Sequence, residues 1–219
     1  MTTTQQISQI KLTTVAPVYG NNYNKGYIGF SYNDNSVIAK GIAHFTGWQR
    51  MSDLYATHVL IVTGENSCIE ADAFHNCVKE GPLQHYFDQP HCQIFFRQPQ
   101  GLNNEIAEGI VQVLRPEIGK KYDFKSILTQ TLSGSFFGRL CDRLLQGKLE
   151  DKLSEKLNNP EKWICSELAA YALDEQPQYQ DQGILKRPNA TISPQELFED
   201  SVIFEPWKDG IFTQFYHGN

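Results

Sequence analysis

Cys165, His58 and Glu70 are the residues of this chain whose types and surroundings suit nucleophilic chemistry. A cysteine attacks carbonyl carbon as its thiolate, and a place near a helix start favours that form. There the sulfur meets unpaired backbone N–H groups and the positive end of the helix dipole. Cys165 stands within such a stretch, WICSELAAYAL. Taken alone it reads more readily as a core cysteine, since free thiols are among the most buried side chains. His58 heads the apolar run THVLIVT, and Glu70 follows twelve positions later in SCIEADAF. If the two runs pair antiparallel about a turn centred on Gly64, with residues 63–65 as the loop, His58 and Glu70 face each other directly. A carboxylate there would orient the imidazole and stabilise its protonated form, as the third member of a nucleophile–base–acid set. Gln93 is the substitute orienter if that register fails. The bland alternative for Glu70 is a solvent-facing strand position beside Ser67 and Asp72.

The elements that must hold these residues are readable in outline. GYIGFS (26–31), THVLIVT (57–63), SCIEADAF (67–74) and CQIFFRQ (92–98) have strand character, with Gly64, Glu65 and Asn66 as turn residues. SVIAKGIAHFTGW (36–48) has apolar residues near helical spacing. LNNEIAEGIVQVLR (102–115) places Leu102, Ile106, Ile110, Val113 and Leu114 on one helical face, with Pro116 at its end. Asp123 is placed to cap a helix through FKSILTQTL. Residues 135–157, apolar early and then charged with mixed sign, read as a helical insertion or lid. NNPEKWICSELAAYAL (158–173) reads as one helix with Asn159 and Pro160 as start signals, and SPQELFED (193–200) as another begun by Ser193 and Pro194. Residues 75–91 read as a loop at the sheet edge or cleft rim. Residues 1–25, rich in Thr, Gln and Asn, read as a tail or an arm laid over the domain.

Composition removes several function classes. The chain has 219 residues, with 19 Lys and Arg against 25 Asp and Glu, a net charge of −6 and a pI near 5.5. That balance gives no electrostatic reason to expect nucleic acid. No apolar run approaches the ~20 residues of a membrane span. The N-terminus lacks the basic start and apolar core of a secretory signal. Five cysteines without CxxC spacing read as reduced thiols, so a cytoplasmic setting is expected. Cys68, His75, Cys77, His85, His91 and Cys92 gather within 25 positions, yet none are spaced as a zinc site would be, and neither metal nor cofactor is expected.

The His strand THVLIVT, the polar IEAD of the next strand, GKKYD (119–123) and the helix motif WICSELAAYAL together resemble the circularly permuted NlpC/P60 proteins. The likeness is to the YiiX/YaeF-like branch of papain-like cysteine hydrolases, in which the His strand precedes the Cys helix. It covers residues 26 to about 205. The family's G-D-I/L opening stands here as Gly26-Tyr27-Ile28, without the Asp. The resemblance implies an α+β permuted papain-like domain over 26–219, with a small antiparallel sheet packed on the nucleophile helix. It implies Cys165 as nucleophile, His58 as base and Glu70 as orienting acid. Tyr122 and Trp163 are candidates for the substrate cleft. The expected activity is hydrolysis of a peptide-like or peptidoglycan-fragment amide through a thioester. Two rivals remain: a lipid-directed acyl hydrolase or transferase, whose acyl chains residues 127–145 could contact, and a catalytically silent binding module. The lipid enzymes carry an N-C-x-H-F-type motif, where this chain reads Ile164-Cys165-Ser166-Glu167-Leu168.

Overall fold

Val59, Leu60, Ile61 and Val62 follow one another without a polar break, so a sheet built on such a run has two greasy faces to cover. A computed structural model describes residues 16–33, 55–89, 91–123, 162–206 and 212–214. Its strands are β1 (Ile28–Asn33), β2 (His58–Gly64), β3 (Ser67–Asp72), β4 (Cys77–Gly81), β5 (Cys92–Arg97), β6 (Lys121–Tyr122), β7 (Lys162–Trp163) and β8 (Phe212–Gln214). Among the described residues they form one eight-stranded sheet in the order β7-β6-β4-β3-β2-β1-β5-β8. The fold is α+β. The sheet is larger than the small one expected, and it is not wholly antiparallel, because β6 and β7 run parallel.

The described helices are α1 (Gln84–Asp88), α2 (Asn104–Leu114), α3 (Cys165–Asp174) and α4 (Pro194–Glu199). Ile28, Phe30, Val59, Ile61, Ile69, Ala71 and Phe95 point to one face, where they pack with Ile110 and Leu114 of α2, Leu168 and Ala169 of α3 and Phe198 of α4. Leu60, Val62, Cys68, Ile94 and Phe96 point to the other, against Phe87 of α1 and Tyr23. Tyr23, within the segment read as a tail or arm, stacks on Phe96 with ring centroids 4.8 Å apart. Gly26 takes φ +83°, and a Cβ there would lie 2.9 Å from the Cα of Ala107. The glycine of the Gly-Tyr-Ile opening thus lets the chain turn tightly against α2.

Helix ends follow the local signals. Asn103 caps α2 by accepting from the Ile106 N–H at 2.9 Å. Ser193 and Glu196 make a reciprocal capping box for α4.

Three expectations are corrected. The helix read over 158–173 begins only at Cys165. Lys162 and Trp163 are drawn into the sheet by Lys121 and Tyr122, and Ile164 remains extended at φ −101°, ψ 160°. The loop read over 75–91 contains β4 and α1. The β2–β3 turn is not centred on Gly64. Ile61 pairs with Ile69 and Val62 with Cys68. A bulge then puts Gly64 opposite Ser67, leaving Glu65 and Asn66 as the turn. Thr63 Oγ1 and Ser67 Oγ, 2.6 Å apart, close this irregular end. The readings for 36–48, 124–132, 135–157 and 127–145, and Cys141, lie outside the described residues, as do residues 1–15.

Candidate active site

The bulged register displaces Glu70 by two residues, so that extending the Ile61–Ile69 pairing sets it across from Leu60 and diagonal to His58. Parity is unchanged, and both side chains share a face. Diagonal neighbours lie within reach of long side chains. His58 Nε2 and Glu70 Oε2 are 2.5 Å apart. The expected pair therefore forms, by a different register from the one read.

Cys165 reaches the same imidazole from the helix side of the sheet. β7 delivers the chain to Ile164, the N-cap of α3, and Cys165 is the first residue of the helix. Glu167 closes half of a capping box, accepting from the Ile164 N–H at 3.5 Å. Ile164 has no side-chain acceptor with which to return the bond. His58 is the first residue of β2, beyond the last paired β2–β3 positions, so one ring meets both Glu70 and the start of α3.

Burial opposes charge on Cys165, which is 5% exposed. The positive His58 ring, its hydrogen bond and the backbone N–H groups of Val59 and Ser166 overcome that and hold the thiol below its usual range. The same balance acts on His58. Burial alone would lower it, but the sulfur and the Glu70 carboxylate raise it to about 10. Glu70 is likewise held below the usual carboxylate range despite its burial, by His58 and by the Tyr86 hydroxyl. These directions are those of a cysteine and a histidine biased toward thiolate and imidazolium, with a carboxylate anchoring the ring.

Tyr122 also touches Cys165. It is buried on β6, its hydroxyl hydrogen-bonds the sulfur, and burial together with the Cys165 charge pushes its ionisation well up. Trp163 lies next to Tyr122 in the β6–β7 pair, two positions before the nucleophile. Its indole N–H donates to Glu117 at 2.6 Å, its ring packs on Tyr171 at 4.9 Å, and the Lys120 ammonium lies 5.7 Å from its centre. Those contacts hold the tryptophan as part of the frame behind the helix start.

Two participants were not singled out from the sequence. Tyr86 of α1 donates to Glu70 Oε2. Lys79 stands opposite Glu70 on β4, with its ammonium 3.7 Å from Oε1 and 2.6 Å from Asp72 Oδ2. Asp72 also bonds His75 Nδ1 at 2.6 Å. Lys79 was within reach of pattern reading, because a second hairpin placed after SCIEAD would have set it beside Glu70. Tyr86 carries no such signal, since a five-residue helix is too short to show a period.

A scan against protein-family models finds none that matches the chain, and a search of curated proteins finds no match either. Among solved structures, the chain is similar to the metalloprotein YiiX from Escherichia coli O157:H7. The TM-score is 0.49 at 18% identity, over 84% of this chain and 98% of that one. So loose a likeness carries no argument about chemistry. Among the described residues, no group of three or more His, Cys, Asp or Glu side chains could hold a metal ion. Among the same residues, no helix is long and apolar enough to cross a membrane.

Proposed function

We propose that the chain is a cysteine hydrolase that cleaves an amide bond, of peptide or peptidoglycan-fragment type, through a thioester on Cys165. The observation that carries this reading is the continuous contact from Cys165 through His58 to Glu70, which lowers the thiol and raises the imidazole. A structural cysteine has no need of such a partner, and among the described residues the other buried thiols, Cys68 and Cys92, have no histidine partner. Burial pushes Cys92 up to about 12, and Cys68 is also raised well above its ordinary value. The order along the chain, His strand before Cys helix, is that of permuted papain-like hydrolases.

With Nε2 occupied by Glu70, Nδ1 is the ring nitrogen left for the sulfur. The Cys165 thiolate attacks the carbonyl carbon and forms a C–S bond. The negative oxygen of the tetrahedral adduct is stabilised by the Cys165 backbone N–H, which has no partner within its own helix, and by the Tyr122 hydroxyl. Collapse breaks the C–N bond, and the His58 imidazolium gives its proton to the departing amine. Neutral His58 then takes a proton from water, which attacks the thioester and releases the acid. The thiolate and imidazolium are restored.

p-Nitrophenyl acetate, an acyl donor that needs no specific cleft, tests the proposal. The wild-type protein should release a burst of nitrophenol and carry an acetyl group on Cys165 in the mass spectrum. His58→Ala should lose the burst. A burst that persists in Cys165→Ala, or an acetyl group found on another residue, would overturn the assignment.

A further inference from the structure

Building on the hydrolase reading, we infer that Tyr86 is a positioning residue for the acid, fixing the Glu70 carboxylate so that it holds the His58 ring toward Cys165. Two contacts carry this inference. The Tyr86 hydroxyl donates to Oε2 of Glu70, the same oxygen that meets His58 Nε2. The Tyr86 ring also lies nearly parallel to the imidazole, 13° apart in plane and 6.1 Å between centres. One side chain therefore sets both partners of the base–acid pair, from an element that neither of them belongs to.

A carboxylate at this point has a competing partner. Lys79 stands 3.7 Å from Oε1, and Asp72 draws the same ammonium at 2.6 Å. Without the Tyr86 donor on Oε2, rotation of the carboxylate toward Lys79 would turn its charge away from His58. The titratable groups facing this cluster are His58 of β2, Cys68 and Asp72 of β3, Lys79 of β4 and Cys92 of β5, with His85 beside Tyr86 on α1. Tyr86 remains a neutral donor, because burial and the adjoining Glu70 charge push its ionisation well above the usual phenol range.

The role is read from the rate of Cys165 alkylation by iodoacetamide against pH, with the modified peptide identified by mass. The reaction forms the C–S bond and expels iodide, and its rate follows the thiolate fraction. Tyr86→Phe should raise the midpoint by about half a unit, which at any pH well below that midpoint is about threefold slower labelling. Glu70→Gln should raise it further. The double variant should match Glu70→Gln alone, because the Tyr86 hydroxyl, the only group removed in Tyr86→Phe, acts through the carboxylate. If Tyr86→Phe loosens the fold, two replacements of equal shape decide the matter: 4-aminophenylalanine at position 86 should keep the wild-type midpoint, and 4-methylphenylalanine should not. A Tyr86→Phe profile that superimposes on wild type, additive shifts in the double variant, or equal midpoints for the two unnatural side chains would overturn the inference. A wild-type midpoint already at that of an ordinary thiol would instead overturn the hydrolase reading, so the two failures are distinguishable.

Discussion

Cys165 without His58 would be a thiol that burial keeps protonated, so its reactivity is a property of the pair. His58→Ala should move the alkylation midpoint of Cys165 upward to the ordinary thiol range or beyond, about pH 9. Pre-steady-state labelling checks this, and an unshifted midpoint would remove His58 from the site. Cys165→Ala should abolish turnover of an acyl probe while leaving the melting temperature within a few degrees of wild type. Cys165→Ser should be nearly as dead, since a hydroxyl needs far more help from a base. The pH window of turnover follows from the two shifts. The reactive form appears once pH exceeds the lowered Cys165 value, and it is lost as His58, raised to about 10, gives up the proton the leaving group needs. Turnover should therefore form a bell whose alkaline limb falls near pH 10, and a limb near pH 6.5 would mean an unpaired histidine. The cysteine, histidine and glutamate were legible from sequence because their side chains have few roles and stand at telling places on apolar runs. Tyr86 was not, since a tyrosine becomes a hydrogen-bond donor to Glu70 only through distant folding.

Helix α3 brings the nucleophile to the site, and its first turn carries a built-in sensitivity. Glu167, buried in that turn, is pushed up to about 7 by its burial. The Ile164 N–H opposes the shift, and the nearby charge of Asp123 adds to it. A carboxyl raised above its unfolded value near 4.5 favours folding while protonated. Its contribution is complete below about pH 4.5 and lost as pH rises through about 7. Urea unfolding at pH 5 and pH 8 should show wild type losing more stability across that interval than Glu167→Gln, by about 1–3 kcal/mol. Parallel losses in the two proteins would contradict the account. The helix itself was legible in the sequence, but its start was misplaced. Asn159 and Pro160 resemble a beginning, whereas the pairing of Lys162 and Trp163 with residues some forty positions earlier leaves no local trace. The hairpin register erred for a related reason, because a bulge at Thr63 shifts the partners without changing the alternation that sequence displays.

At the scale of the molecule, the sheet half remote from the nucleophile is tied by one buried cation. Arg97, at the end of β5, donates to the carbonyl oxygens of Phe198, Asp200 and Glu205, the last at 3.1 Å, and lies over the Phe204 ring at 4.9 Å. Burial lowers its ionisation to about 9, against the nearby Asp200 and Glu199 charges. Arg97→Met would leave those carbonyls without this donor and should cost about 2–4 kcal/mol, read as a lower urea midpoint. Arg97→Lys should recover little of it, since an ammonium does not reproduce the planar fork. An unchanged midpoint in Arg97→Met would mean water replaces the guanidinium. The α+β class was legible from the mixture of alternating and helical periods. The second covered face was not, because α1 and Tyr23 supply it from stretches read as loop and as tail or arm.

The short parallel pair β6–β7 has a consequence for engineering. The Asp123 N–H donates to the Trp163 carbonyl at 2.9 Å, and Lys121 pairs with Lys162. Whatever chain runs between positions 123 and 162 therefore departs from and rejoins the body at one place, already cinched by its own hydrogen bonds. Such a junction works as a socket. A foreign module whose own ends lie close together could be spliced there at little closure cost, since lengthening a closed loop adds free energy only logarithmically. The socket opens beside Tyr122 and two residues from Cys165, so exchange of cassettes there offers a way to retarget the nucleophile without redesigning the sheet that aims it.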